Sequence, residues 1–393
     1  MPYLDHAATT PLRPEALEAM LPFLSGSFGN PSGQHAAART AKTAIEEARE
    51  TVAAALGARP GEVVFTGGGT EADNLAVKGA AYSARQRGVG DGVVTLAIEH
   101  HAVLHSVERL GRDGFRIQVV PVDAGGVIDL DAMAGALDAR TAVVSVMLAN
   151  NEVGTVQPLA EVAAVMAERA PRAVLHTDAV QAAAWMDVAT EAAGAALVAV
   201  SAHKFGGPQG VGALVVRQGT HLQPVIDGGG QERDLRSGTH NVAGIVGMAA
   251  ALAAGRDCRA EEAPRVAALR DRLAAGLTAA VPGSGLNGDP GRKMINNCHV
   301  TFPGIESEAL LLLLDREGLC AAAGSSCASG AMDPSHVLAA MGVPRDRARA
   351  SLRLTLGWTS TDTDVDEALA LIPVAVEQLR PLASPHRLAA GQR

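Results

Sequence analysis

The stretch AALVAVSAHKFGGPQG, residues 195–210, runs from an apolar segment through a histidine and a lysine into glycines. Small aliphatic residues with no charge among them read as a strand buried on both faces, as in a parallel sheet. Lys204 follows directly, where an ammonium group must either leave the core or serve a purpose inside it. In open sheets of this kind ligands bind beyond the carboxyl ends of the strands. A partly desolvated lysine loses basicity and can attack a carbonyl, so Lys204 and the polar residues ending neighbouring strands are the first candidates for a site.

Working outward, the same pattern recurs at EVVFTGG (62–68), GVVTLAIEH (92–100), TAVVSVMLAN (141–150), RAVLHTDAV (172–180) and GALVVR (212–217). Ala-rich stretches with helical spacing lie between them, at 37–56, 71–88 and 158–170. Alternating strands and helices predict an α/β fold whose mostly parallel sheet is covered on both faces. From residue 238 the pattern changes to a long Ala-rich helix, followed by a second helical stretch over 256–283. We therefore read a large domain over 15–255 and a smaller α+β domain built from 1–14 and 256–393, with a loose tail from 383.

Composition narrows the function. The 393 residues exceed what one core usually organises. With 48% hydrophobic but only 3% aromatic residues, the core must be made of Ala, Val, Leu and Ile. A formal charge of −9 with scattered Lys and Arg argues against a nucleic-acid surface. No run approaches the roughly 18 apolar residues of a membrane span, and the N-terminus lacks the pattern of a signal peptide, so a cytoplasmic protein is expected. Cys258, Cys298, Cys320 and Cys327 form no Cys-x-x-Cys pair and read as free thiols. His101 and His105 stand near His100, but no carboxylate or cysteine lies at ligand spacing, so no metal site is expected.

The strand ends supply the chemistry. GGGTEADN (67–74) places glycines before Thr70, which with Asp73 reads as a capping box opening a helix whose N–H groups suit a phosphate. Asp178 ends an apolar strand, where an isolated carboxylate is costly to bury without a cationic partner. A phosphate cradle, a carboxylate for a pyridinium nitrogen and a lysine to bind an aldehyde are what pyridoxal 5'-phosphate asks of a protein. No Walker or Rossmann glycine motif competes.

The segments YLDHAATTP, FGNPSGQH, TGGGTEADN, EHHAVL, NNEVGTVQ, HTDAVQ, SAHKFGGPQG, GGGQERDLRSGTHN, GSSCAS and LRLTLG occur in this order over nearly the whole chain. Together they resemble the cysteine desulfurases of the NifS and IscS type, in the class V aminotransferase group. The resemblance implies the fold-type I, aspartate aminotransferase-like architecture, with a mostly parallel seven-stranded sheet and pyridoxal phosphate as cofactor. It implies that Lys204 holds the cofactor and later moves the proton at the substrate Cα. Asp178 would pair with the ring nitrogen, Gln181 with the ring 3-oxygen, and His100 would stack on the ring and assist proton transfer. Thr70, Ser201 and His203 would hold the phosphate, joined by Thr239 from the second subunit of a homodimer, with Glu71 beside them. Asn151 and Arg353 match positions that hold the substrate α-carboxylate, Asn151 also lying in the cofactor site.

Cys327 is implied as the nucleophile that takes the sulfur of L-cysteine as a persulfide, releasing L-alanine. The sulfur would pass to an acceptor protein for iron–sulfur cluster assembly or other sulfur modification. The other cysteines read as small buried apolar residues. A selenocysteine lyase, or another class V lyase or transaminase, is the alternative. His6, Ala202 and Trp358 depart from the usual family pattern.

Overall fold

The computed structural model describes residues 1–324 and 335–383; Cys327 and the tail from 384 lie outside the described residues. The large sheet contains β1 (Val63–Thr66), β2 (Gly92–Leu96), β3 (Arg116–Val120), β4 (Thr141–Ser145), β5 (Val174–Asp178), β6 (Leu197–Ser201) and β7 (Gly212–Val216), in the order β1-β7-β6-β5-β4-β2-β3. β7 runs antiparallel to both its neighbours and the other pairings are parallel. All but β3 lie where the apolar runs predict strands. β3 sits at the sheet edge, with Val119 55% exposed. Half of its side chains need not be apolar, so it has no continuous hydrophobic run to announce it.

The two faces are separated by side-chain alternation. Leu197 and Ala199 of β6 pack with Val93, Val143, Leu214 and the helix Gly69–Gln86. Val198 and Val200 face the opposite core, with Leu96, Val144, Leu175 and the helix Ala36–Ala55. A second, antiparallel sheet of β8 (Gly285–Leu286), β9 (Asn297–Thr301) and β10 (Ser351–Thr355), in the order β10-β9-β8, supports a third core containing Leu4, Val300, Phe302, Leu352 and Ile372.

The two stretches read as separate helices around residue 255 are one helix, Val242–Ala280, with Pro264 inside it. Ile245, Met248 and Leu252 belong to a core of the large sheet, while Val266, Leu273 and Leu277 belong to the small one. The division placed at 255 therefore falls inside a continuous helix that serves both cores. Val337, Leu338 and Met341 also return to the large-sheet core. The N-terminal segment joins the small sheet side by bridges from Tyr3 to Cys320 and from Asp5 to Thr355. Among the described residues, no helix is long and apolar enough to cross a membrane.

Candidate active site

The carboxyl ends of β5 and β6 and the start of the helix Gly69–Gln86 surround a cavity of about 850 Å³. Its entrance is shaped by glycine. Gly68 holds a φ of +146° and serves as the helix N-cap. A Cβ on Gly69 would stand 2.8 Å from Val180 Cγ2, and one on Gly212 would stand 2.7 Å from the Gly68 carbonyl carbon. The first-turn N–H groups, which have no intrahelical acceptor, are thus brought to the cavity wall at Gly69, Thr70 and Glu71.

The capping box expected from Thr70 and Asp73 is not made: the helix begins at Gly69 without a side-chain cap, and Asp73 turns into the core with 1% exposure. The Glu71 carboxylate accepts from the Gly67 N–H at 2.9 Å and from Arg236 Nε at 2.7 Å.

Lys204 does not close β6 itself but lies in the short 3-10 turn Ala202–Lys204 after it. Its Nζ donates to the carbonyls of Ala7 and Ala8. Gln181 Nε2 also donates to Ala7 O at 3.0 Å, and the same N-terminal segment is tied to the turn by Thr10 Oγ1, which donates to His203 O at 2.9 Å. His203 Nδ1 lies 3.2 Å from Thr9 Oγ1. Burial, reinforced by the Lys204 charge, lowers His203 to about 4.

Asp178 ends β5 and is 6% exposed. Burial, and then the nearby Asp73 carboxyl, push it up to about 7, against the N–H of Val180, which donates to its Oδ1 at 2.9 Å. His100 caps the helix His101–Arg112, its Nδ1 accepting from the Ala102 N–H at 3.1 Å. Burial first, then Lys204 and neighbouring histidines, lower it to about 4, so the ring is neutral. With Nδ1 used as acceptor, the proton sits on Nε2. Asp73, His100 and Asp178 bring ligand-capable atoms within 4.8 Å of one another. His101 and His105 lie outside that group, their rings 5.0 Å apart, with His101 also 4.6 Å from His336.

On the opposite wall, Asn150 is buried and its Oδ1 accepts from the N–H groups of Glu152 and Val153, which turns Asn151 toward the cavity. Arg353 extends from β10 with 2% exposure. Its Nη2 donates to Asp5 Oδ1 at 2.8 Å, and its Nη1 to the carbonyls of Asn151 and Gly324 at 3.3 and 3.4 Å. Both terminal nitrogens of its fork are therefore engaged within the chain, Nη2 by a carboxylate and Nη1 by two longer contacts to carbonyls, while Nε has no partner among the described residues.

Thr70, Glu71, His100, Asn151, Asp178, Gln181, Ser201, His203, Lys204 and Arg353 all line this one cavity. Thr239 does not; it is exposed on the segment after Arg236. Cys327 lies outside the described residues. Of the other cysteines only Cys298 is fully buried, with its thiol pushed up to about 12 by that burial, while Cys258 and Cys320 are half-buried. Cys258 rides a helix and Cys320 an irregular segment paired to residues 2–4, so neither is sealed in a core as expected.

A pyridoxal phosphate fits these residues. Helix N–H groups and a glycine passage that a Cβ would fill suit the phosphate, a buried carboxyl suits the ring nitrogen, and a primary amine stands near both. The model of the class-V aminotransferase family matches residues 2–368.

The chain belongs to the class-V aminotransferase family.

As a class-V aminotransferase it is pyridoxal-phosphate dependent. Its curated relatives include a Clostridium botulinum protein named cysteine desulfurase IscS, 43% identical over 97% of this chain and 96% of that one. An IscS-like cysteine desulfurase of Mycobacterium tuberculosis is 47% identical over 98% of each chain. Among solved structures, a NifS-like protein aligns with a TM-score of 0.89 and 36% identity, over 96% of this chain and 99% of that one. The sheet order and single antiparallel strand described above are those of fold-type I.

Proposed function

We propose that this class-V enzyme is a cysteine desulfurase, converting L-cysteine to L-alanine and taking the sulfur onto Cys327 as a persulfide. The observation that carries this reading is the convergence of Lys204, Asp178, His100 and Arg353 on one cavity at the N-terminus of a helix. The full-length identity to proteins named cysteine desulfurase supports the choice of substrate.

When bound, the cofactor withdraws electron density from the substrate Cα, and the rest is the work of side chains. Gly69, Thr70 and Glu71 offer N–H groups to the phosphate, with Ser201 and His203 beside them. Asp178 accepts from the ring nitrogen, and Gln181 lies within the same wall for the ring 3-oxygen. Arg353 and Asn151 bind the substrate carboxylate, for which a guanidinium fork is well shaped. Lys204 Nζ, oriented by the Ala7 and Ala8 carbonyls, removes and returns the proton at Cα. His100, neutral with its proton on Nε2, donates toward the reacting centre. The Cys327 thiolate attacks the substrate sulfur; the carbon–sulfur bond breaks, the carbon takes a proton, and the sulfur stays on Cys327. One cysteine plus one thiol thus gives one alanine plus one persulfide. The thiolate is the required form of the nucleophile.

Thr239 is exposed and off its own chain's cavity. That position supports a homodimer in which it completes the phosphate site of the partner. A persulfide has to be passed on, so a sulfur-acceptor protein is the expected partner, and a free nucleophilic thiol suits the reducing cytoplasm. We read the large-sheet cores and the small-sheet core as two domains hinged on the shared helix Val242–Ala280. The test is to supply L-cysteine to the holoenzyme and to the Cys327→Ala variant and measure alanine and sulfide. Equal sulfide from both would remove Cys327 from the reaction.

A further inference from the structure

Beside Asp178, with Asp73 on the lining of the same cavity, lies a pair that the reaction above does not use. Asp73 projects from the helix Gly69–Gln86 and His176 from β5, with 1% and 0% exposure. Asp73 Oδ1 lies 3.4 Å from His176 Nε2, close but without hydrogen-bond geometry, and neither atom has a hydrogen-bond partner among the described residues. On the far side of the ring, His176 Nδ1 lies 2.8 Å from Ser145 Oγ of β4. Two residues beyond His176 on the same strand, Asp178 holds the cavity floor, with carboxyl oxygens of Asp73 and Asp178 within 4.8 Å. Lys204 lines the same cavity as Asp73. The other titratable groups around it are Asp178, His100 and Glu99, the last fully buried and accepting from the Met147 N–H at 2.6 Å.

Two carboxylates this close in a dry site do not both stay charged. Burial pushes Asp73 up to about 8 and lowers His176 to about 4, in the same sense. With Asp73 neutral beside Asp178, the 3.4 Å contact lets the Asp73 proton face His176 Nε2, and the ring then carries its own proton on Nδ1, which donates to Ser145 Oγ.

We propose that Asp73 and His176 form a proton-sharing pair without net charge, a positioning device that holds Asp178 under the cofactor's ring nitrogen and leaves it the dominant negative group there. This rests on the reading of Asp178 as the ring-nitrogen partner. Asp73 is then a positioning residue whose useful form is the neutral donor. A carboxamide can reproduce that donor, and a methyl group cannot.

The experiment titrates the cofactor-free protein with pyridoxal 5'-phosphate by absorbance, for wild type, Asp73→Asn, Asp73→Ala and Asp178→Ala. In parallel, nitrogen NMR of histidine-labelled holoenzyme, assigned with a His176→Gln sample, reports the His176 tautomer. The expected result is an affinity within about threefold of wild type for Asp73→Asn, at least tenfold weaker binding for Asp73→Ala, and a neutral His176 protonated on Nδ1 at pH 7. An Asn variant as damaged as the Ala variant would mean that Asp73 works as an anion, and unaltered affinity in both would mean no positioning role; either overturns the proposal. If Asp73→Ala does not fold, the tautomer decides: an imidazolium at His176, or a proton on Nε2, overturns it. Wild-type affinity in Asp178→Ala would instead overturn the underlying reading of the cavity.

Discussion

Arg353 Nη2 and Asp5 Oδ1 lie 2.8 Å apart in a nearly sealed pair that ties β10 to the N-terminal segment. Two residues after Asp5, the Ala7 carbonyl accepts from Lys204. The group read as holding the substrate carboxylate and the group that moves its proton are thus joined through the single turn that follows Asp5. Removing Asp5 leaves the guanidinium with only the longer contacts to the Asn151 and Gly324 carbonyls. Asp5→Ala is expected to raise KM for L-cysteine about tenfold, in line with losing one charge-assisted hydrogen bond, with a smaller fall in kcat. Steady-state kinetics check this, and an unchanged KM would count against it.

Lys204→Ala removes the amine that the Ala7 and Ala8 carbonyls orient. Borohydride treatment of the wild type should fix the mass of the cofactor to the chain, and the same treatment of the variant should not. Alanine formation should fall to background. Intact-protein mass spectrometry reads the first outcome and amino-acid analysis the second.

Gly212 tests the tight passage between β7 and the helix N-cap. A Cβ there meets the Gly68 carbonyl carbon and the Val200 oxygen, both at 2.7 Å, and backbone atoms cannot swing aside as side chains do. Gly212→Ala is expected to cost about 3 kcal/mol of stability, the upper end for overpacking, read as a lower urea midpoint with an unchanged slope. A loss below about 0.5 kcal/mol, the scale of ordinary surface changes, would contradict the assigned packing.

Glu232 begins a turn of three left-handed non-glycine residues, Glu232, Arg233 and Asp234. It accepts from Arg49 at 2.7 and 2.8 Å, from the Phe65 N–H at 2.9 Å, and lies 2.8 Å from His240 Nε2. Burial works to raise its pKa, but the bonds from Arg49 and His240 outweigh it and hold the carboxyl at about 2, below an ordinary 4.5. A depressed carboxyl stabilises the folded chain above its unfolded value and loses that contribution as pH falls through the folded one. Glu232→Gln should therefore destabilise by about 3 kcal/mol at pH 7, as expected for breaking a buried pair, and the gap from wild type should close between pH 4.5 and 2. Urea titrations at pH 7 and pH 3 measure it.

Much of this was legible in the chain. β6 and β7 announce themselves because strands buried on both faces must be apolar throughout, and Lys204, Asp178 and Ser201 could be found because they interrupt those runs. The edge strand β3 could not, since one exposed side breaks the pattern. The missed site residues share a different cause. Asp73 was visible as an acid near a helix start, yet only the packing of that helix on the sheet turns it inward toward His176. Asp5 and the Ala7 and Ala8 carbonyls act through contacts with residues about 200 or more positions away, and backbone carbonyls carry no sequence signal at all.

The most direct measurement is a single turnover of the holoenzyme with L-cysteine, quenched and digested, with peptide mass spectrometry on every cysteine and alanine counted in the same sample. The expected result is one alanine per added sulfur, with the extra sulfur on the peptide bearing Cys327 and none on Cys258, Cys298 or Cys320. Alanine formed with the sulfur on another cysteine, or formed at the wild-type rate by Cys327→Ala, would contradict the assignment of Cys327 as the sulfur-accepting nucleophile.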